Sequence, residues 1–306
     1  MKPEKKQIKW REMFVSLLII GLIAVPLQAS AAPAEFMLQG DTGDWIRLGN
    51  RVDDKVFALA FDSQENLYVG AGYWPGVGDP VFYILKWDGI SWTTIASSIN
   101  GIVSSLAFDN QGNLYAGGGF TFIDGVTAAR IAKWNGNKWT ALGDGLDNSV
   151  VALIVDKNDN LFAGGSFNNS GALALNGVGM WDGNVWSAMS GPSGTGVSGN
   201  VSDFAFDNLD DLYIGGSSIF TAGGVVAKGV AKWDGNEWSG LGAGLDSNIQ
   251  GIAIDNQNNI YAGGSKSSVP IMSVWNGANW SDLDSTGLDE IITTVEVDGL
   301  DNVYVG

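Results

Sequence analysis

Trp87-Asp88-Gly89-Ile90-Ser91-Trp92 is a phrase that this chain repeats. Trp, then Asp or Asn, then Gly, two free positions and Trp recur as Trp134-Asn135-Gly136…Trp139, Trp181-Asp182-Gly183…Trp186, Trp233-Asp234-Gly235…Trp238 and Trp275-Asn276-Gly277…Trp280. Successive first tryptophans lie 47, 47, 52 and 42 residues apart. A period of that size marks a repeat architecture. Asp-Gly or Asn-Gly between two apolar runs is the strongest short hairpin signal, because both residues tolerate positive φ. The phrase therefore reads as a tight turn, with one Trp ending a strand and the other opening the next.

Working outward, each repeat holds two more strand signals. An apolar run ends in Asp at Asp62, Asp109, Asp156, Asp207, Asp255 and Asp298. Runs such as Phe57-Ala58-Leu59-Ala60-Phe61 are apolar at every position. That suits a strand buried on both faces. A second strand follows, centred on Leu67-Tyr68, Leu114-Tyr115, Leu161-Phe162, Leu212-Tyr213, Ile260-Tyr261 and Val303-Tyr304. In the turn between them, Gly112, Asp159, Asp210, Asn258 and Asp301 fall at a left-handed position, and Glu65 departs from the turn-forming types there.

Four short antiparallel strands per unit, with no helical periodicity, predict an all-β chain. It should be a β-propeller of four-stranded blades, five complete and a sixth partial. The blades are expected at about 55–97, 102–144, 149–191, 200–243 and 248–285, and the partial one at 290–306. Trp45-Ile46-Arg47-Leu48-Gly49 reads as an isolated fourth strand at 45–49, able to close the last blade and remove open edges. The sixth blade still lacks a third strand, so the sequence is expected to be part of a longer protein.

Residues 1–31 read as an export signal. Lys2, Lys5, Lys6, Lys9 and Arg11 precede an uncharged run from Phe14 to Val25, and Ala29-Ser30-Ala31 offers small residues for cleavage. That run is too short to span a bilayer as a helix. Residues 32–44 form an N-terminal segment before the propeller at 45–306. Without the leader, which carries five of the 16 basic and two of the 33 acidic residues, the net charge is −20. Such a chain repels phosphate backbones and anionic lipid, so neither nucleic acid nor membrane insertion is expected. There is no Cys and no His. That removes disulfides, thiol nucleophiles, the Ser-His-Asp arrangement and most transition-metal sites, leaving no expected metal or cofactor.

With these residues in view, the chain resembles kelch-like propellers over residues 45–306. Gly117-Gly118, Gly164-Gly165, Gly215-Gly216 and Gly263-Gly264 match the glycine pair that ends the second kelch strand, and the aromatic-Asp and Trp positions follow. Gly70-Ala71 departs from the pair, and the aromatic-to-Trp gap is shorter than in kelch proteins proper. The phrase also resembles repeat arrays of secreted bacterial proteins and of fungal cell-surface cortical markers. The resemblance implies the fold; propellers host binding, scaffolding and catalysis alike.

Function is sought where the repeats differ. From the second-strand glycine to the third-strand Trp the gaps are 17, 17, 17, 18 and 12 residues, and from the fourth-strand Trp to the next Asp they are 17, 17, 17, 21, 17 and 18. Those two connections share one face of an antiparallel blade, and variable loops on a rigid frame are where binding resides. Tyr73, Trp74, Phe122 and Phe220 are the candidate ligand-binding aromatics on that face. Phe120 and Phe167, directly after the glycines, are read as packing. Asp53, Asn100, Asp147, Ser198, Asp246 and Asp289, each nine residues before a first-strand Asp, form a polar ring at the channel mouth. It could circle a hard cation, although capping of local turns explains it more simply. The ten phrase tryptophans, Trp87, Trp92, Trp134, Trp139, Trp181, Trp186, Trp233, Trp238, Trp275 and Trp280, are structural. The expected function is a secreted, non-enzymatic binding module for a protein or cell-surface glycan. The alternatives are a lectin-like propeller and a carboxylate-based glycoside hydrolase or lyase. No spacing marks a pair among acids such as Asp79, Asp124 and Asp144.

Overall fold

The fold is drawn from a computed structural model, which describes residues 37–39, 45–47, 54–285, 287–288 and 290–306. Five successive antiparallel units of four strands fill its centre. The first holds Lys55–Phe61, Leu67–Tyr73, Val81–Trp87 and Trp92–Ile99. The second holds Val103–Phe108, Leu114–Gly118, Ile131–Trp134 and Trp139–Ala141. The third holds Val150–Val155, Leu161–Gly165, Val178–Trp181 and Trp186–Ala188. The fourth holds Asn200–Phe206, Leu212–Ser217, Val230–Trp233 and Trp238–Gly240. The fifth holds Asn248–Ile254, Ile260–Lys266, Val269–Trp275 and Trp280–Asp282. Val295–Val297 and Val303–Val305 form a final pair. In all five units the third strand ends at the first Trp of the phrase and the fourth begins at the second.

The N-terminal strand differs from expectation. Trp45–Arg47 pairs with Met37–Gln39 in a hairpin of its own, in register Met37↔Arg47, and not with the last pair of strands. Local pairing closes a short loop, whereas pairing with residues near 300 closes a very long one at a greater entropic cost.

Hydrophobic clusters lie between neighbouring sheets, one at each seam. Phe82, Ile84, Leu114 and Trp139 join the first two sheets. Tyr115, Leu161 and Trp186 join the second and third, and Phe162, Ile214 and Trp238 the third and fourth. Tyr213, Ile252 and Ile260 join the fourth and fifth. No sheet buries its faces alone, so the units stabilise one another as stacked repeats do.

The glycine pair has a packing cause. A Cβ on Gly164 would meet Val201 Cγ1 at 2.5 Å, where the next sheet's first strand seats. A Cβ on Gly165 would meet the Ser149 carbonyl at 2.2 Å, beside a bulge that displaces the register between Val150 and Ala152. The same bulge occurs in all five sheets.

The strand-four Trp ties each sheet to its predecessor. The indole N–H of Trp186 donates to the Leu142 carbonyl at 3.1 Å, that of Trp238 to Met189 at 3.0 Å and that of Trp280 to Leu241 at 3.0 Å. Within a phrase the two rings pack at tilted angles, as in Trp181 and Trp186 with centroids 5.5 Å apart.

At the same end of each sheet, the first-strand Asp anchors a polar network. Asp109 accepts from the Asn113 N–H at 2.8 Å and from its side-chain amide at 2.7 Å; Tyr115 donates to it, and Lys133 pairs with it at 3.2 Å. Burial raises the Tyr115 hydroxyl above its ordinary pKa. Lys133 also rises: burial opposes its charge, but Tyr115 and Asp109 outweigh that. The third sheet replaces both distal members with apolar ones, having Phe162 and Met180 cross-strand at the positions of Tyr115 and Lys133. Donors converge on these carboxylates, as turn chemistry requires.

Two stability outcomes follow. Trp186→Phe removes the indole donor and leaves a buried carbonyl unpaired, which should cost about 2–4 kcal/mol in urea unfolding. A loss below about 1 kcal/mol would show that the inter-sheet bond carries little. Tyr115→Phe and Lys133→Met should be less damaging together than the sum of the two alone. A double-mutant cycle should return a coupling of about 1 kcal/mol, and additivity would break the network reading.

Candidate functional site

Four antiparallel strands place the two-to-three connection and the four-to-one connection at one end of each sheet. In three units the two-to-three connection carries a small hairpin of its own: Phe122–Ile123 with Val126–Thr127, Asn169–Ser170 with Leu173–Ala174, and Thr221–Ala222 with Val225–Val226. The longest four-to-one connection, after the third sheet, adds a further hairpin of Ser190–Gly191 with Gly194–Thr195.

Three members of the polar ring fix these loops. Asn100 Oδ1 accepts the N–H groups of Thr121 and Phe122 at 2.8 and 3.0 Å. Asp147 Oδ1 accepts the Asn168 N–H at 2.8 Å, and its Oδ2 accepts from the Asn169 side chain at 2.8 Å. Ser198 Oγ accepts the N–H groups of Phe220 and Thr221, both at 2.9 Å. Burial pushes the Asp147 carboxyl upward, but the Asn169 and Asn168 donors outweigh it and hold it below the usual carboxylate range. Asp246 lines a depression described below, while Asp53 and Asp289 lie outside the described residues. Asp124 also caps, accepting the Ser97 and Ser98 N–H groups at 3.1 and 2.8 Å.

The candidate aromatics do not converge. Trp74 is 55% exposed and stands edge-on to Phe57 and Phe82, with centroids 5.9 and 5.7 Å away, beside Tyr73 at 40%. Phe122 is half-buried and sits in its loop hairpin. Phe220 is 59% exposed, two sheets further on. Phe120 and Phe167 are fully buried.

Two depressions open on this face. A cleft of about 520 Å³ lies at the seam of the third and fourth sheets. Ser166, Asn168, Asn176, Ser193, Thr195 and Ser198 are among its walls, with glycines between them, and no charged side chain lines it. The added hairpin forms one wall through close backbone contact: the Ser193 N–H donates to Gly223, and the Gly223 N–H donates to Gly196 at 2.8 Å. A Cβ on Gly191 would meet the Gly223 carbonyl at 2.4 Å, so glycine is required there. A second depression of about 230 Å³ lies at the seam of the fourth and fifth sheets, with Phe220 and Asp246 in its lining. The 21-residue gap was the one sequence signal that pointed to the larger cleft.

Sequence reading missed one acid altogether. Asp203 lies at the bulge of the fourth sheet, where Ala58, Ser105, Ala152 and Gly251 stand in the others. Its Oδ2 accepts the Ile252 N–H of the fifth sheet and its Oδ1 the Phe204 N–H, both at 2.8 Å. Burial, aided by the charge of Glu296, pushes its carboxyl up to about 7 despite those donors. Ser105 bonds the Leu153 N–H in the same way at 3.0 Å, without a charge.

Comparison with known proteins agrees with this architecture. A family model described as the Rax2 C-terminal beta propeller domain matches residues 140–302. The chain belongs to the Rax2 C-terminal β-propeller family. Among curated proteins none matches the sequence. The extracellular domain assigned to a hybrid two-component system of B. thetaiotaomicron is 13% identical with a TM-score of 0.51, over 83% of this chain and 37% of that one. This chain therefore spans little more than a third of that structure. YCF48, solved bound to a D1 peptide, is 14% identical with a TM-score of 0.58, over 89% and 83% of the two chains. A gluconolactonase from Xanthomonas campestris is 12% identical with a TM-score of 0.47, over 80% and 88%. At these identities the likeness to the first two structures is one of fold. Among the described residues no helix is long and apolar enough to cross a membrane.

The position of Asp203 gives a signed pH effect. Its folded pKa lies above its unfolded value, so the folded state holds the extra proton, and stability falls as pH rises from about 4 to about 7. Asp203→Ser keeps an acceptor for Ile252 and removes the charge. Denaturation midpoints of that variant should exceed those of the parent at pH 8 and lose the advantage near pH 4. Equal pH profiles would exclude the shift.

Proposed function

We propose that this propeller is an exported, non-enzymatic binding module that captures its ligand on the variable-loop face. The cleft between the third and fourth sheets carries the reading. Its walls offer hydroxyls, carboxamides and the exposed backbone of glycines, with no charge. Those groups match a neutral, hydrogen-bonding ligand: a neutral glycan or an extended protein segment. The loops are already fixed by Asp147 and Ser198 and by the Gly191–Gly223 contact, so little ordering entropy opposes binding. Capture by several equivalent sugar sites is disfavoured, because only this unit carries the additional hairpin among the described residues.

The test is a screen of the purified chain against neutral glycans and a library of extended peptides, with thermal melts to show folding. Ser193→Trp and Thr195→Trp place bulk in the cleft from exposed or half-exposed positions. Each should reduce binding of any ligand found by at least about tenfold with little change in melting temperature. Ligand binding that survives both substitutions would move the function elsewhere.

A further inference from the structure

The smaller depression differs in chemistry from the cleft beside it. Lys228 and Lys266 both line it, together with Asp246. The exported chain has 11 basic residues against 31 acidic ones, so two lysines in one hollow are conspicuous. Elsewhere Lys86, Lys133, Lys157 and Lys232 pair with aspartates, and Lys55 lies over the Phe57 ring. Among the described residues neither Lys228 nor Lys266 has an ion-pair partner. Ser247, Asn248 and Ser265 supply hydroxyl and amide groups around them. Phe220, the most exposed of the phenylalanines that border this face, lies on the rim.

The backbone here is held in an uncommon form. Ser267 and Ser268 are the two central residues of the turn joining Ile260–Lys266 to Val269–Trp275, with φ of 51° and 66°. Asn-Gly is the usual choice for such a turn, and Ser-Ser adopts it less readily. Ser218, on the facing loop, also has positive φ, at 57°. The two-residue hairpin itself demands that backbone at Ser267 and Ser268, which places the strand-end Lys266 at the edge of the hollow.

We propose that this hollow binds an acidic saccharide, a sugar ring bearing one carboxylate. Two ammonium groups against one carboxylate leave a single positive charge for the ligand's own carboxylate. The serine, asparagine and aspartate oxygens take the hydroxyl groups, and the Phe220 ring offers an apolar face for the sugar ring. The site is separate from the neutral cleft and takes a different ligand. Failure here leaves that cleft untouched, because this test is read on acidic ligands and the other on neutral ones.

The experiment is calorimetric titration of the purified chain with trigalacturonate, maltotriose and inorganic phosphate at low salt. Trigalacturonate should bind, and raising the salt should weaken it. Lys228→Gln with Lys266→Gln should reduce that affinity by about tenfold or more, and Phe220→Ala by about fivefold. Both lysines and Phe220 are exposed, so the melting temperature should hold. No binding of trigalacturonate by the folded chain, or binding indifferent to the lysine pair, overturns the proposal. Phosphate or maltotriose binding as tightly as trigalacturonate overturns the assignment to an acidic sugar.

Discussion

One hydrogen bond repeated at every described seam from the second to the fifth sheet, from a strand-four indole to a carbonyl of the preceding sheet, sets the geometry of this protein. An indole can do this because it buries a large apolar body and still presents one donor at its edge. The carbonyl it reaches belongs to Leu142 or Leu241 in two of the seams, and a glycine follows each. Gly143 lies 3.3 Å, measured from a notional Cβ, from the next strand-three ring of Trp181, and Gly242 lies 2.9 Å from Trp275. Both tryptophans of a phrase thus address the same short segment of the neighbouring sheet. A slip of one residue would turn every one of these groups to the wrong face. The phrase keeps its spacing because its two ends must meet the adjacent blade together.

The two ends of each sheet then part in character. At the turn end, left-handed residues serve the neighbour as well as their own hairpin. Asp159 holds positive φ and also accepts the Asn110 N–H at 2.7 Å, while Asp301 does the same for Asn256 at 2.9 Å. Every change there must satisfy a turn and a seam at once. At the loop end the caps made by Asn100, Asp147 and Ser198 fix only the base of each loop. The tips are free to differ in length and chemistry. One fold thereby presents a neutral cleft and, one seam further, a hollow with two lysines.

Much of the architecture was legible because its causes are local. Asn-Gly and Asp-Gly name their turn type, and φ of 65° at Glu65, 66° at Asp159 and 65° at Asp210 shows that the backbone demand outlasts a change of side chain. The pairing of Trp45–Arg47 with Met37–Gln39 was not legible, since a lone strand signal does not say which edge it joins. The site was harder still. Lys228 and Lys266 are 38 residues apart on different sheets, and only the stacking of the fourth sheet on the fifth brings them to one hollow. Asp203 stands in a run that otherwise reads as apolar strand. Its partner, the Ile252 N–H, lies on the edge strand of the next sheet, and only the stacking of the two sheets brings it near.

The overall charge also takes on a different meaning. A net charge of −17 reads at first as an acidic surface suited to cationic partners. Yet the aspartates are largely occupied inside the frame. Asp62, Asp109, Asp156, Asp207, Asp255 and Asp298 each hold a first hairpin, and Asp88, Asp182 and Asp234 each hold a second. For the last three, donation from backbone N–H groups holds the carboxyl below its usual range. The negative charge is therefore largely a by-product of turn chemistry multiplied by repetition. What a partner meets is set seam by seam, by the few side chains that the turns do not use. On the loop face those include hydroxyls, amides, the exposed rings of Trp74 and Phe220, and two ammonium groups without an ion pair. Composition alone could not show this, because it counts an aspartate that closes a hairpin and one that faces a ligand as the same residue.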